Sequence, residues 1–256
     1  MAATPENPII FYDIVAKDGS YWTPNPFKTR LTLNYKGLPY RVKWVKIEDV
    51  EPLMKEMGIP PTSKTFPHYT LPMIADPSSE PDGKPTLVSE SFRIAEYLDE
   101  KYPAPKYPIV IPPGTRVLQK IFAEQYAPSI AMAPIPAIVS GLPAAVLDEA
   151  STEYMYRTRG KETFNPVSEE TSAKVMAEAR EKWDGFALTI GDGPWITGDT
   201  VTFADFLIGG LLFFWRRIGG GDEGKLWKEL ATWQDGRWAE YWKLVEAIEN
   251  KSSCLA

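Results

Sequence analysis

The rhythm of apolar and polar positions changes near residue 105. Before that point the apolar runs are short and alternate with turns. Ile9–Asp13 (IIFYD) is a compact apolar run that reads as a buried strand. A loop, Ala16–Pro24, carries Gly19, Tyr21 and Trp22. Asn25–Tyr35 sets Phe27, Leu31 and Leu33 on a partial helical stripe, with Lys28 and Arg30 expected to reach solvent. Pro24 and Pro26 sit at its start, where a missing N–H costs least, and Gly37 closes it. Tyr40–Lys46 alternates as a strand, Val50–Met57 is a short helix, and Gly58–Pro67 is a proline-rich loop. Leu71–Ala75 and Thr86–Val88 read as a strand hairpin around turn residues Asp76–Lys84. Ser91–Lys101 spaces Phe92, Ile94, Ala95 and Leu98 as a helix. The order is β-α-β-α-β-β-α.

Tyr102–Gly114 holds five prolines in thirteen residues and reads as a stiff linker. Beyond Thr115 the pattern is helical throughout: Arg116–Ile130, Ala144–Arg157, Ser168–Ile190, Ala204–Arg217 and Leu226–Glu249. The expected division is an α/β domain over 1–104, a linker over 105–114 and an all-helical domain over 115–256. A chain of 256 residues is long enough for two modest cores.

Composition narrows the chemistry. Hydrophobic residues at 44% suffice for folded cores. A net charge of -6 argues against nucleic acid and anionic membrane as partners. One cysteine, Cys254, and one histidine, His68, supply neither a disulfide framework nor a multi-histidine or zinc site, so no metal is expected. No basic region followed by an apolar run opens the sequence, and the most apolar stretch, Phe203–Trp215, is too short for a bilayer and contains Asp205. A cytoplasmic setting is expected.

Four stations carry candidate chemistry. Thr23 and Asn25 lie where a loop meets a helix start, a place that favours an anion such as a thiolate; the alternative is an ordinary N-cap. Leu71-Pro72 opens a strand with a proline, which suits either a cis bend exposing the Leu71 backbone to a peptide ligand or an edge-strand turn. Glu90-Ser91 begins a helix and suits an α-amino acid head group, with an N-cap serine as the alternative. Thr202-Phe203-Ala204-Asp205 reads as a structural capping box.

In this order and spacing the stations resemble the glutathione transferase superfamily, over essentially the whole chain. The segment KDGSYWTPNPFKTR before and into the first helix resembles the fungal etherase-like FuA class of wood-degrading fungi. The resemblance implies a thioredoxin-like domain followed by a helical bundle, glutathione as co-substrate and a homodimer. It places Thr23 where that class carries a catalytic serine; the extra methyl restricts χ1. Asn25 becomes a second donor to the sulfur. Leu71 is expected to pair with the cysteinyl backbone, Glu90 and Ser91 to hold the γ-glutamyl group, and Lys64 or His68 to meet the glycine carboxylate. Tyr21, Trp22, Phe122 and Tyr126 are expected to line a pocket for small hydrophobic or aromatic electrophiles, with Pro128–Pro143 widening or covering it. The implied activity is glutathione transfer. The rivals are a ligandin that binds phenolic compounds without turnover and a scaffold that lost the chemistry. No cysteine stands in the active-site segment, so thiol exchange through a protein thiolate is not expected.

Overall fold

The structure, a computed structural model, describes residues 3–78, 80 and 83–255. Residues 79, 81 and 82 of the expected Asp76–Lys84 turn lie outside the described residues, as do the first two residues and the last.

Four strands form one sheet in the order β2-β1-β3-β4: β1 (Ile9–Ile14), β2 (Tyr40–Val45), β3 (Met73–Asp76) and β4 (Thr86–Ser89). β1 and β2 are parallel, with Ile9 opposite Tyr40 and Ile14 opposite Val45, as a crossover through helix α1 (Pro24–Lys36) requires. β3 runs antiparallel to β1, pairing Tyr12 with Met73, and β4 returns beside β3, pairing Met73 with Ser89. Helix α2 (Val50–Glu56) follows β2 and α3 (Ser91–Lys101) follows β4. This mixed sheet with its helices is the thioredoxin-like arrangement. The strand expected from Leu71 starts only at Met73, because Pro72 has no N–H for the ladder.

The second half is helical: α4 (Arg116–Ile121), α5 (Ala127–Ala131), α6 (Ile135–Ile138), α7 (Leu142–Val146), α8 (Glu149–Arg159), α9 (Glu169–Ile190), α10 (Phe203–Ile218), α11 (Lys225–Leu230) and α12 (Trp233–Glu249). Three expected helices are interrupted. The first, Arg116–Ile130, passes through a π-helical turn at Phe122–Tyr126, where the Ala127 N–H reaches back to the Phe122 carbonyl. Pro128 explains it: an α-helical proline clashes with the carbonyl four residues back, and widening one turn relieves that. The second, Ala144–Arg157, breaks because Asp148 caps α8, accepting from the Ser151 N–H at 2.8 Å. The third, Leu226–Glu249, breaks between α11 and α12. Within α12, Gln234, Asp235 and Gly236 are left-handed, with φ of 48°, 56° and 84°.

Helix α1 lies between the sheet and α10. Its Leu33 packs with Ile9, Phe11 and Ile74 on the sheet side. Its Phe27 stacks on Phe213 of α10 at 4.1 Å between ring centroids. α10 comes close to α1 at Gly210, where a Cβ would meet the Pro24 carbonyl oxygen at 2.9 Å, and to α12 at Gly209, where a Cβ would meet Val245 Cγ1 at 2.8 Å. Arg30, expected at the surface, is buried instead. Its guanidinium bonds Asp13 Oδ2 at 2.7 Å and lies 4.0 Å over the Tyr21 ring. An arginine facing a sheet that carries an acid on β1 is held by that charge.

The stretch between α3 and α4 is fixed at several points. Lys36 bonds both Asp99 and the Pro108 carbonyl at 2.8 Å, and Asp99 accepts from the Val110 and Ile111 N–H groups. At the far edge, the chain end adds to β2: Tyr40 donates to Ser253 at 3.3 Å and accepts from Leu255 at 2.8 Å. That pairing covers an otherwise open strand edge.

Candidate functional site

The strand directions place three stations at one end of the sheet. The exit of β1, the entry of β3 and the exit of β4 share that end, and they lead to Thr23, from Pro72 and into Glu90 respectively.

The loop into α1 is tied to the helical domain. Arg217 of α10 donates to Ser20 at 2.8 Å and pairs with Asp18. The Ser20 hydroxyl also bonds Asp18, and with Arg217 it holds that carboxyl at about 2. Thr23 stands at the N-cap with extended backbone, φ -92° and ψ 139°, yet its side chain makes no capping bond. Its Oγ1 is buried without a partner, as is the Nε1 of neighbouring Trp22. The hydroxyl expected to face a sulfur is therefore turned inside. The methyl that distinguishes threonine from serine restricts the rotation that would bring it out. Asn25, two residues on, is exposed, and its Oδ1 accepts from Lys28 Nζ at 2.8 Å. No acidic residue stands in the first turn of α1, so the positive end of its dipole is uncompensated.

The Leu71–Pro72 peptide is cis. The Pro72 carbonyl accepts from the Glu90 N–H at 3.2 Å, which joins the second and third stations. Among the described residues, no turn or loop hydrogen bond uses the Leu71 N–H or carbonyl. Glu90 is held at φ 73° and ψ 127°, an unusual backbone for a non-glycine residue, directly before Ser91 opens α3. The first turn of α3 likewise has no acidic residue.

The other expected site residues are placed differently. Lys64 and His68 are exposed in the loop before Thr70, where His68 Nδ1 lies 3.2 Å from the Ser63 carbonyl. Among the described residues, no hydrogen bond or ion pair ties either one to Glu90 or Pro72. Tyr21 and Trp22 do not edge the site as expected. Tyr21 packs on Phe27 and Phe213 and donates to Glu249, while Trp22 is buried beside Phe214. Aromatic rings next to a helix–helix seam gain more from burial there than at a cleft edge. Phe122 and Tyr126 do meet, at 5.7 Å between centroids, in the π-helical turn. Both also lie 5.9 Å from Phe186 of α9, Phe122 stacked and Tyr126 tilted against it, and Tyr126 keeps an exposed edge.

Sequence reasoning missed Lys28 and Gly210. The paired glycines inside the apolar run LIGGLLFF were the available signal, since mid-helix glycine is costly unless a backbone comes close. Among the described residues, no group of three or more His, Cys, Asp or Glu side chains is placed for a metal ion, and no single helix is long and apolar enough to cross a membrane.

Pro72, Glu90 with its positive φ and the open start of α3 lie together at one sheet end and form a cradle. Comparisons with known proteins identify the class. The family model "Glutathione S-transferase, N-terminal domain" matches residues 22–101, and "Glutathione S-transferase, C-terminal domain" matches residues 117–247. The chain belongs to the glutathione S-transferase family. It is 30% identical to the glutathione S-transferase-like protein ustS of Aspergillus flavus, over 94% of this chain and 96% of that one. It is similar to CsGST63524 of Ceriporiopsis subvermispora, solved in complex with glutathione: 35% identity, TM-score 0.84, covering 95% of this chain and 98% of that one. GSTFuA3 of Phanerochaete chrysosporium gives 32% identity and TM-score 0.81, covering 94% and 97%. The resemblance to fungal FuA-class transferases is thus found in whole-chain structural relatives.

Proposed function

We propose that the cradle binds glutathione and that the protein transfers its thiolate to hydrophobic, aromatic electrophiles. The observation that carries this reading is the bond from the Glu90 N–H to the Pro72 carbonyl, at the entry of β3. It sets the Leu71 backbone beside the Glu90-Ser91 helix start. Leu71 then pairs with the cysteinyl backbone, Ser91 and the α3 N-terminus take the γ-glutamyl carboxylate, and Glu90 takes its ammonium. The sulfur comes to the start of α1. The helix dipole and the Asn25 amide favour the thiolate there, and Thr23 adds its hydroxyl after rotation about χ1. The thiolate forms a bond to an electrophilic carbon, and an aryl halide loses halide with the bonding pair. Lys64 or His68 stays the candidate for the glycine carboxylate.

The unpartnered, buried Thr23 hydroxyl favours a second reading, a ligandin that binds glutathione and phenolic compounds without turnover. Initial rates with glutathione and an isothiocyanate or aryl halide separate the two. Loss of rate in Asn25→Ala with gain in Thr23→Ser supports catalysis at the α1 start. Retention on glutathione agarose without turnover supports the ligandin. No retention at all leaves a scaffold and overturns both.

The division of labour follows residues 1–104 for glutathione, 105–114 as linker and 115–256 for the second ligand, and the setting is cytoplasmic. A homodimer is part of the same reading. Val117, Leu118 and Ile121 of α4 stand 61%, 69% and 44% exposed on one helix face, an apolar surface suited to a second copy.

A further inference from the structure

The Lys28 ammonium lies 2.8 Å from Asn25 Oδ1, one helical turn further along α1. An ammonium only donates, and an amide side chain has one accepting atom and one donating atom. The pairing therefore fixes which way the amide faces: Oδ1 toward Lys28, Nδ2 away from it. The lysine itself is confined. Its stem runs beside α10, where a Cβ on Gly210 would come within 3.4 Å of Lys28 Cγ. Burial pulls its pKa down to about 8, and no carboxylate contributes to that shift.

We propose that Lys28 is a positioning residue that locks the Asn25 amide with its Nδ2 donor presented at the α1 start. This rests on the glutathione site proposed above and adds to it a reason why Asn25 is a fixed donor. Without Lys28 the amide is free to turn either atom toward the sulfur, and Oδ1 would repel a thiolate. With Thr23 Oγ1 turned inside, that donor is the exposed side-chain group at the first turn.

The test is the ionisation of protein-bound glutathione, followed by thiolate absorbance across pH, in wild type, Lys28→Met, Lys28→Arg, Asn25→Ala and the Lys28→Met/Asn25→Ala pair. Lys28→Met should raise the bound thiol pKa by about half a unit or more, a roughly threefold loss of thiolate at neutral pH. The KM for glutathione should change little while kcat falls. Arginine, which also only donates, should restore most of the effect. In the Asn25→Ala background, Lys28→Met should do nothing further. A further rise in that background means the lysine acts directly on sulfur and overturns the proposal. So does an unchanged thiol pKa in Lys28→Met with glutathione still bound, which leaves the glutathione site itself standing. If the wild type binds no glutathione, the site reading fails and this inference fails with it.

Discussion

The Tyr241 hydroxyl donates to Asp205 Oδ1 at 2.6 Å inside the helical domain, tying α12 to the first turn of α10. The same carboxylate accepts from the Ile196 N–H at 2.7 Å, the Thr202 N–H at 2.7 Å and the Thr202 hydroxyl at 3.0 Å. Burial pushes the carboxyl of Asp205 and the phenol of Tyr241 upward, and these four donors hold the acid against that burial. Asp205→Ala strands two backbone N–H groups and should cost about 3 kcal/mol or more, whereas Tyr241→Phe removes one donor and should cost about 1.5 to 3 kcal/mol. Urea unfolding measures both. An Asp205→Ala protein within about 1 kcal/mol of wild type would contradict this account.

Arg30 and Asp13 form a second buried pair, at 2.7 Å and with both side chains almost fully covered. Burial raises the Asp13 carboxyl while the Arg30 charge and hydrogen bond lower it. Removing one partner leaves the other charge uncompensated, so Arg30→Met should cost about 3 to 5 kcal/mol. Arg30→Met with Asp13→Leu should recover much of that loss. If the double variant is as unstable as the sum of the two single ones, the pair is not what holds these residues.

The strands, α1, α3 and the Thr202–Asp205 cap were legible because each is written in local periodicity or in a cap whose partners stand three residues apart. The Ile196 and Tyr241 donors were not, since they reach Asp205 from 9 and 36 residues away. Arg30 was misread for the same reason: its partner lies on another element, and helix spacing alone reports a polar residue as solvent-facing. At Leu71–Pro72 the sequence left a cis bend and an edge-strand turn both open, and the bond is cis; the helix start at Ser91 was legible because α3 begins there. The direction of the Thr23 hydroxyl was not, because a rotamer depends on packing that no local pattern encodes.

Asp148 couples the α8 cap to pH. It bonds Lys46 Nζ at 2.7 Å and the Ser151 N–H at 2.8 Å, and these hold its carboxyl down, from an ordinary 3.8 to about 2. A lowered folded-state pKa means the contribution is complete above about pH 4 and is lost as pH falls toward about 2. Asp148→Ala should therefore cost about 1 kcal/mol at pH 7. The gap to wild type should narrow steadily below pH 4 in denaturant titrations. A gap that stays constant from pH 6 to pH 2.5 would rule out the charged cap.

The paired glycines of α10 separate fold from site. A methyl at Gly209 meets Val245 Cγ1 of α12 at 2.8 Å and, on α1, only the side-chain end of Leu31 at 3.4 Å, about two turns beyond the helix start. A methyl at Gly210 meets the Pro24 carbonyl oxygen at 2.9 Å, backbone at the very start of α1, and crowds Lys28 Cγ at 3.4 Å. Each alanine should cost about 1 to 3 kcal/mol through overpacking. Only Gly210→Ala displaces the helix start where Thr23, Asn25 and Lys28 stand, so it alone should weaken glutathione binding and turnover beyond what lost stability explains. Calorimetric titration with glutathione, at a temperature where both variants are fully folded, distinguishes them. Equal glutathione affinity in the two variants would mean that the approach of α10 does not set the geometry of the α1 start.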